Sequence, residues 1–503
     1  MLQVKTVDVT DQICKRIGIK QPTVTELIKL TKYKDYMWDK VYAQGNTVVI
    51  NQCEQIAAIK KLKIYKPKNI EELTAFVAAI RPSFQSMLEV FLNRQHFEYE
   101  IPAFDKICQG RFQDSSFLLF QETIMQALAF SGIPSGDTYT LIKAISKKKE
   151  KVIMKYEEQF LTGFMENGEC DRDTAEKVWQ IIKDSARYGF NSAHANAVAT
   201  DSLYNAWLKC DYPYEFYETC LALYSGEIDP DIAKDKDKIS KLIKEMDLAF
   251  GIKLGKIKFG NDNRSFVADK ENKQILPSLM GIKYMNHEVA NILYDVSQKH
   301  NFNNFSELYL HLKELKGINK RHISTLINVG YFSDFGSVKK LERLVDLIEN
   351  TFSKKTYNKE KCDIQILNIV KKFAKAGHED NKKTYRDIDF KELYSFLENN
   401  IDNSEYSFIE ILSREYQYTG NIISEIPNNV TIGQIVARSY KKPWILFSSL
   451  KTGNEGWIKL NDPMSSIPKK ESIVMLNNFG KETKWGRTSY TASIEAVIYS
   501  SDK

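Results

Sequence analysis

Three lysines and one histidine in a single stretch define the chemistry to look for. Lys143 and Lys147 stand one helical turn apart, Lys148 follows directly, and His194 comes later, just after Asn191 and Ser192. Ser135-Gly136-Asp137 supplies turn and N-cap residues, which predicts a helix running to about Lys149. On that helix Leu141, Ile145 and Lys148 fall on one side, while Lys143 and Lys147 share the opposite one. Two cations a turn apart repel each other unless something anionic lies between them. A phosphate chain would serve; so would water, and taken alone the solvated face is the simpler reading.

A second helix is expected from Asp171 or Asp173, with Ala175, Val178, Ile182 and Ala186 forming a stripe that docks on a core. Gly189 sits where a helix ends on a left-handed glycine. Asn191 or Ser192 then caps a third helix, running to about Cys210, with Val198, Leu203, Ala206 and Trp207 as its buried side. His194 falls in its first turn, beside backbone N–H groups without intrahelical partners, an end that attracts anions. A lone histidine there is ordinarily a surface or capping residue.

The combination is less generic than its parts. Phe120-Gln121-Glu122-Thr123-Ile124-Met125-Gln126, Leu141-Ile142-Lys143-Ala144-Ile145-Ser146-Lys147-Lys148, and Tyr188-Gly189-Phe190-Asn191 with His194 resemble, in order and spacing, the fingers domain of bacterial DNA polymerase III alpha subunits. Ala206-Trp207-Leu208-Lys209 and Tyr212-Pro213-Tyr214-Glu215-Phe216 are similar to the helix pair that follows in that family, and Ile80-Arg81-Pro82-Ser83 to its Arg-Pro-Gly-Pro segment. The resemblance implies that Arg81, Lys143, Lys147, Lys148, Asn191 and His194 face the incoming deoxynucleoside triphosphate. For Arg81 an internal salt bridge is an equal alternative. The family usually has two arginines where Ile142 and Lys143 stand, so one triphosphate cation is missing and the other lacks bidentate geometry.

One family feature is absent. The palm motif that carries the metal-binding aspartates, Pro-Asp-x-Asp-x-Asp-Phe, occurs nowhere in the chain, and Leu2 to Val9 resemble the segment that follows the third of those aspartates. No catalytic residue is therefore expected here, and Mg2+ is expected on a separate palm-bearing chain. The cluster Asp229, Asp231, Asp235 and Asp237 reads as a solvated helix start rather than a metal site.

Composition agrees with an ordinary globular protein: 43% hydrophobic and 27% charged residues, net charge +6, and seven scattered cysteines without a Cys-x-x-Cys. No apolar run reaches membrane-spanning length, so neither membrane nor secretory context is expected, and the bacterial or virus-infected bacterial cytoplasm is the expected compartment. The expected fold is mainly α with a C-terminal β-barrel. Residues 1–226 read as palm remnant and fingers, 227–345 as a helix-hairpin-helix region, 346–425 as a charged helical linker, and 426–503 as an OB-fold.

In the hairpin region Lys320 and Arg321 are candidate phosphate contacts, but Tyr284-Met285-Asn286 replaces the family's Gly-hydrophobic-Gly, so the usual backbone contact to DNA is expected to be lost. Gln365-Ile366-Leu367 is the sole candidate for a sliding-clamp peptide, with an ordinary amphipathic helix as the competing reading. Five β-like runs fill the tail: Val430–Ser439, Trp444–Ser449, Gly456–Leu460, Ser472–Asn478 and Tyr490–Ser500. Eleven Lys/Arg against six Asp/Glu in 426–503 place most of the excess charge there. Arg438, Lys441, Trp444 and Trp457, with Tyr440, Phe447 and Trp485, suit a surface where bases stack and phosphates are neutralised, about half of the aromatics being barrel core.

The sequence thus reads as the C-terminal part of a replicative polymerase, binding template-primer DNA, single-stranded DNA and dNTP beside a palm-bearing chain, and inactive alone. The alternative is a non-catalytic DNA-binding or clamp-associated replication accessory.

Overall fold

A computed structural model describes residues 5–81, 84–109, 115–186, 189–228, 235–451, 454–484 and 487–501. Pro82, Ser83, Tyr188, Asp229, Asp231 and Trp485, named above, lie outside them, as does the start of the Leu2 to Val9 segment. The chain divides into two compact units, Met1–Tyr217 and Glu218–Lys503.

The first unit is helical. Its segment from Ile101 to Ala186 shares one core, in which Phe104, Phe160, Phe164 and Trp179 are the largest buried rings. The expected stripe is there: Ala175, Val178, Ile182 and Ala186 are buried along the Arg172–Ala186 helix. Asp171 caps it, accepting the Thr174 N–H at 2.9 Å. A further helix, Glu150–Gly168, precedes it and was not anticipated; its buried side carries Tyr156, Phe160 and Phe164.

The Ser192–Asp211 helix is almost wholly enclosed along its second half. Lys209, fully buried, donates from Nζ to the carbonyls of Asn46 and Val48 at 3.0 and 2.7 Å, so its charge is met by backbone dipoles. The loop it holds bends through Val49 and Gln52, both with positive φ.

In the second unit, four helix starts follow one rule. Asn286, Asn304, Asn319 and Ser337 each accept the backbone N–H three residues on, opening the helices His287–Lys299, Phe305–Glu314, Lys320–Asn328 and Val338–Asp346. A small sheet precedes them: β1 (Lys253–Leu254), β2 (Val267–Asp269) and β3 (Gln274–Leu276), in the order β1-β3-β2.

The stretch 346–425 is not the charged helical linker expected. Strands β4 (Thr356–Asn358), β5 (Ala374–Ala376) and β6 (Thr384–Ile388) form a sheet in the order β4-β6-β5. Tyr357, Val370, Tyr385 and Leu393 join the same core as Leu293, Phe305 and Leu326. Buried Glu398 accepts the N–H groups of Phe305 and Ser306 at 2.9 and 2.7 Å. Lysine-rich flanks hide these short apolar stretches from a compositional reading.

The tail closes into a five-stranded barrel of β7 (Thr431–Arg438), β8 (Trp444–Ser449), β9 (Glu455–Leu460), β10 (Ile473–Lys484) and β11 (Arg487–Tyr499). The order β7-β8-β9-β11-β10, returning to β7, with β9 and β11 parallel, is the OB-fold arrangement. Ile435, Ile445, Phe447, Val474 and Leu476 fill the interior. The Phe408–Thr419 helix covers one outer face through Leu412 against Ile432, Ile473, Met475 and Ile498. The chain is therefore mainly helical with a C-terminal β-barrel.

Candidate nucleotide and nucleic-acid interface

The first group assembles around Phe190. Its backbone pairs with the strand-like start of the Gln121–Phe130 helix: the Gln121 N–H donates to the Phe190 carbonyl at 3.0 Å. Arg81, at the end of the Ile70–Ala79 helix, lays its guanidinium 3.7 Å from the centre of the Phe190 ring. The His194 ring meets Phe190 edge-on, 5.3 Å between centroids. Arg81 is half-buried and stacked on a ring, the arrangement guanidinium favours. Burial lowers its pKa.

Asn191 is the N-cap of the Ser192–Asp211 helix, its Oδ1 accepting from the His194 N–H at 2.8 Å. Its amide also donates to Glu122 Oε1 at 2.9 Å. The same carboxylate accepts the Ser192 N–H at 3.1 and 3.0 Å. The helix end expected to attract an external anion therefore already holds an internal one, and the side chain of Asn191 is engaged in capping on both sides.

Gly189 is not left-handed as expected; its φ lies outside the positive range. A Cβ there would meet Gln121 Cγ and Ile124 Cδ1 at 3.1 Å, so a larger residue would make those side chains yield by a few tenths of an ångström.

The lysines are arranged differently from the reading of a helix to Lys149. The helix spans Ser135–Ser146, and Lys147 is its C-cap. Lys148 takes the left-handed position, φ 54°, with Lys148 N–H to Ile145 O at 3.0 Å and Lys149 N–H to Ala144 O at 2.9 Å. These two bonds close a Schellman motif, with lysine where glycine is usual. Lys148 is therefore exposed rather than beside buried Leu141 and Ile145. Lys143 and Lys147 are exposed too, and Lys143 Nζ lies 4.4 Å from the centre of the Tyr139 ring. Arg81, Asn191 and His194 are joined through Phe190 and Glu122; among the described residues, no hydrogen bond or ring contact brings the three lysines into that group.

In the second unit Lys320 and Arg321 are exposed at the start of their helix, and the Arg321 guanidinium lies 5.0 Å from the Tyr284 ring centre. Gln365, Ile366 and Leu367 lie in the short Ile364–Val370 helix, where Asp363 accepts the Gln365 N–H and Leu367 is spent in the core. On the barrel, register pairs Trp444 with Lys459 and Leu446 with Trp457, placing all four on the outer face of β8 and β9. Trp457 is about half exposed, at 49%, and Trp444 partly buried. Lys459 pairs with Glu482 at 2.8 Å. Phe447 is the barrel-core aromatic, whereas Tyr440 is fully out in solvent. Arg438 donates to the Ile467 carbonyl at 2.8 Å, a structural tie, while Lys441 is exposed. Lys459, two residues after Trp457, joins this face without having been a sequence candidate; its alternation with Trp457 is the signal in the sequence.

Among the described residues no group of three His, Cys, Asp or Glu side chains is close enough to hold a metal ion. Asp235 caps the Lys236–Phe250 helix and Asp237 pairs with Lys241 at 2.6 Å.

Residues 6–168 match the bacterial DNA polymerase III alpha subunit finger domain. The DNA polymerase III subunit alpha of Campylobacter jejuni is 28% identical over 97% of this chain and 39% of its own length. That of Ureaplasma parvum is 26% identical over 85% of the chain and 44% of its own length. Over most of its length the chain is thus similar to bacterial DNA polymerase III alpha subunits. It corresponds to a C-terminal portion, spanning about two fifths of the length of these relatives. The Aquifex aeolicus subunit, 28% identical over 61% of the chain and 26% of its own length, matches as well. No helix among the described residues is long and apolar enough to cross a membrane.

Proposed function

We propose that this chain is the fingers-to-OB-fold part of a replicative DNA polymerase, acting with a palm-bearing chain in the bacterial cytoplasm. The observation that carries the reading is the pairing of a finger-domain match over 6–168 with an OB barrel at 431–499. In it the fingers supply cations to the triphosphate, namely Lys143, Lys147, Lys148 and Arg81, with His194 as a further hydrogen-bond donor. The barrel face of Trp444, Trp457 and Lys459 takes single-stranded DNA, and Lys320 and Arg321 lie beside DNA phosphates. The carboxylates that bind Mg2+ and activate the primer 3′-OH come from the palm-bearing chain. A clamp contact through Gln365–Leu367 is not part of this reading, because Leu367 is in the core.

The test is primer extension with Mg2+ and dNTPs by this chain alone and together with a palm-bearing segment of a relative. Synthesis only in the mixture is expected. Template-directed synthesis by the chain alone would sink the split arrangement.

The accessory reading has one observation in its favour: Glu122 occupies the helix end that an external phosphate would use. If the mixture binds DNA but never extends a primer, that reading takes over.

A further inference from the structure

Tyr284 is a tyrosine in an expensive place. Its φ is +67°, in the left-handed region that disfavours bulky side chains, yet it is 53% exposed and contributes little to any core. The turn on either side is tightly held. Ile282 and Met285 are buried, and the Lys283 N–H donates to the Tyr418 carbonyl at 2.9 Å. Asn286 then caps the next helix, accepting the Val289 N–H at 2.9 Å. Glycine would satisfy this backbone without strain, so the backbone conformation does not call for a tyrosine here.

What the side chain does is present a ring. The Arg321 guanidinium lies over it, 5.0 Å from the ring centre, and much of the residue stays open to solvent. Lys283 and Lys320 are exposed nearby in the same two turns, with Glu288 as the local carboxylate. A ring held by a guanidinium and flanked by flexible cations is the composition that stacks one base and neutralises the phosphates beside it.

We infer that Tyr284 is a base-stacking site for an unpaired nucleic-acid strand, with Arg321 as the residue that positions its ring. The inference rests on the DNA-binding reading above, and adds a contact to bases where the hairpin was expected to have lost its contact to backbone.

The experiment uses the full chain with a single-stranded oligodeoxythymidylate carrying photoreactive 5-iododeoxyuridine, mapping crosslinked peptides by mass spectrometry. Crosslinks at Tyr284 and on the barrel are expected. In a Trp457→Ala background, Tyr284→Gly is expected to weaken single-strand binding about tenfold while keeping or raising the unfolding temperature, and Tyr284→Phe to retain affinity. Crosslinks confined to the barrel, with unchanged affinity in Tyr284→Gly, would overturn this site and leave the DNA-binding reading standing. No binding of any strand at low salt would remove both.

Discussion

The Arg81 guanidinium lies over Phe190, 3.7 Å from its ring centre, joining the end of one helix to the turn that opens another. The stack needs a planar cation, so Arg81→Lys keeps the charge and loses the geometry. If Arg81 contacts triphosphate, dNTP use by the reconstituted enzyme should fall about tenfold in Arg81→Ala and measurably in Arg81→Lys. Wild-type kinetics in both variants would assign the arginine to packing alone.

Glu122 is the internal anion of the Ser192–Asp211 helix. Glu122→Ala should cost about 1–2 kcal/mol, because two donors, Ser192 N–H and the Asn191 amide, lose their acceptor. The vacated helix end should then bind sulfate, so sulfate should raise the unfolding temperature of Glu122→Ala more than that of the wild type. Equal sulfate effects would mean that water replaces the carboxylate adequately.

Lys143 and Lys147 remain the candidate triphosphate cations. A charge-assisted contact to phosphate is worth roughly 1.5–3 kcal/mol, or about ten- to a hundredfold in kcat/KM for dNTP. On a solvated face either alanine variant would change stability by no more than about 0.5 kcal/mol and leave kinetics untouched. Loss in Lys143→Ala alone would narrow the site to the lysine that sits over Tyr139.

The barrel face makes a salt-dependent prediction. The 426–503 segment should bind single-stranded DNA with an affinity that declines steeply as salt rises. Trp457→Ala should cost roughly 1–3 kcal/mol of that binding without changing the salt slope, since it removes a stack and no charge. Lys459→Met should do the reverse. A Trp457→Ala segment that binds normally would move the interface to another face of the barrel.

His322 should make the hairpin region pH-sensitive. Burial lowers its pKa below the ordinary 6.5, and neighbouring Arg321 adds to the effect, against weaker opposition from a Gly317 hydrogen bond and Glu288. A depressed folded pKa means that stability is full above about 6.5 and is lost as pH falls, because the unfolded chain takes up a proton that the folded histidine resists. His322 Nδ1 also faces the Asn319 N–H at 3.4 Å, a contact that requires it unprotonated. An imidazole titration by NMR should place its midpoint below 6.5, and His322→Gln should flatten the stability profile there. A midpoint at or above 6.5 would refute the assignment.

Local chemistry made much of this chain legible in its sequence. The 175-178-182-186 stripe, the Asn191 cap and the five strands of the barrel depend on residues close in sequence, and appear where periodicity and turn residues put them. The end of the Ser135–Ser146 helix was misplaced because its left-handed residue is Lys148, not glycine, and only the fold reveals that conformation. Glu122 at a distant helix end, Arg81 on Phe190 and the sheet hidden among the lysines of 346–425 were beyond the sequence for a different reason. Each depends on segments meeting across long chain separations. Residue spacing encodes which face of an element is apolar, but the partner that covers a carboxylate, a guanidinium or a strand edge is chosen only when the core closes.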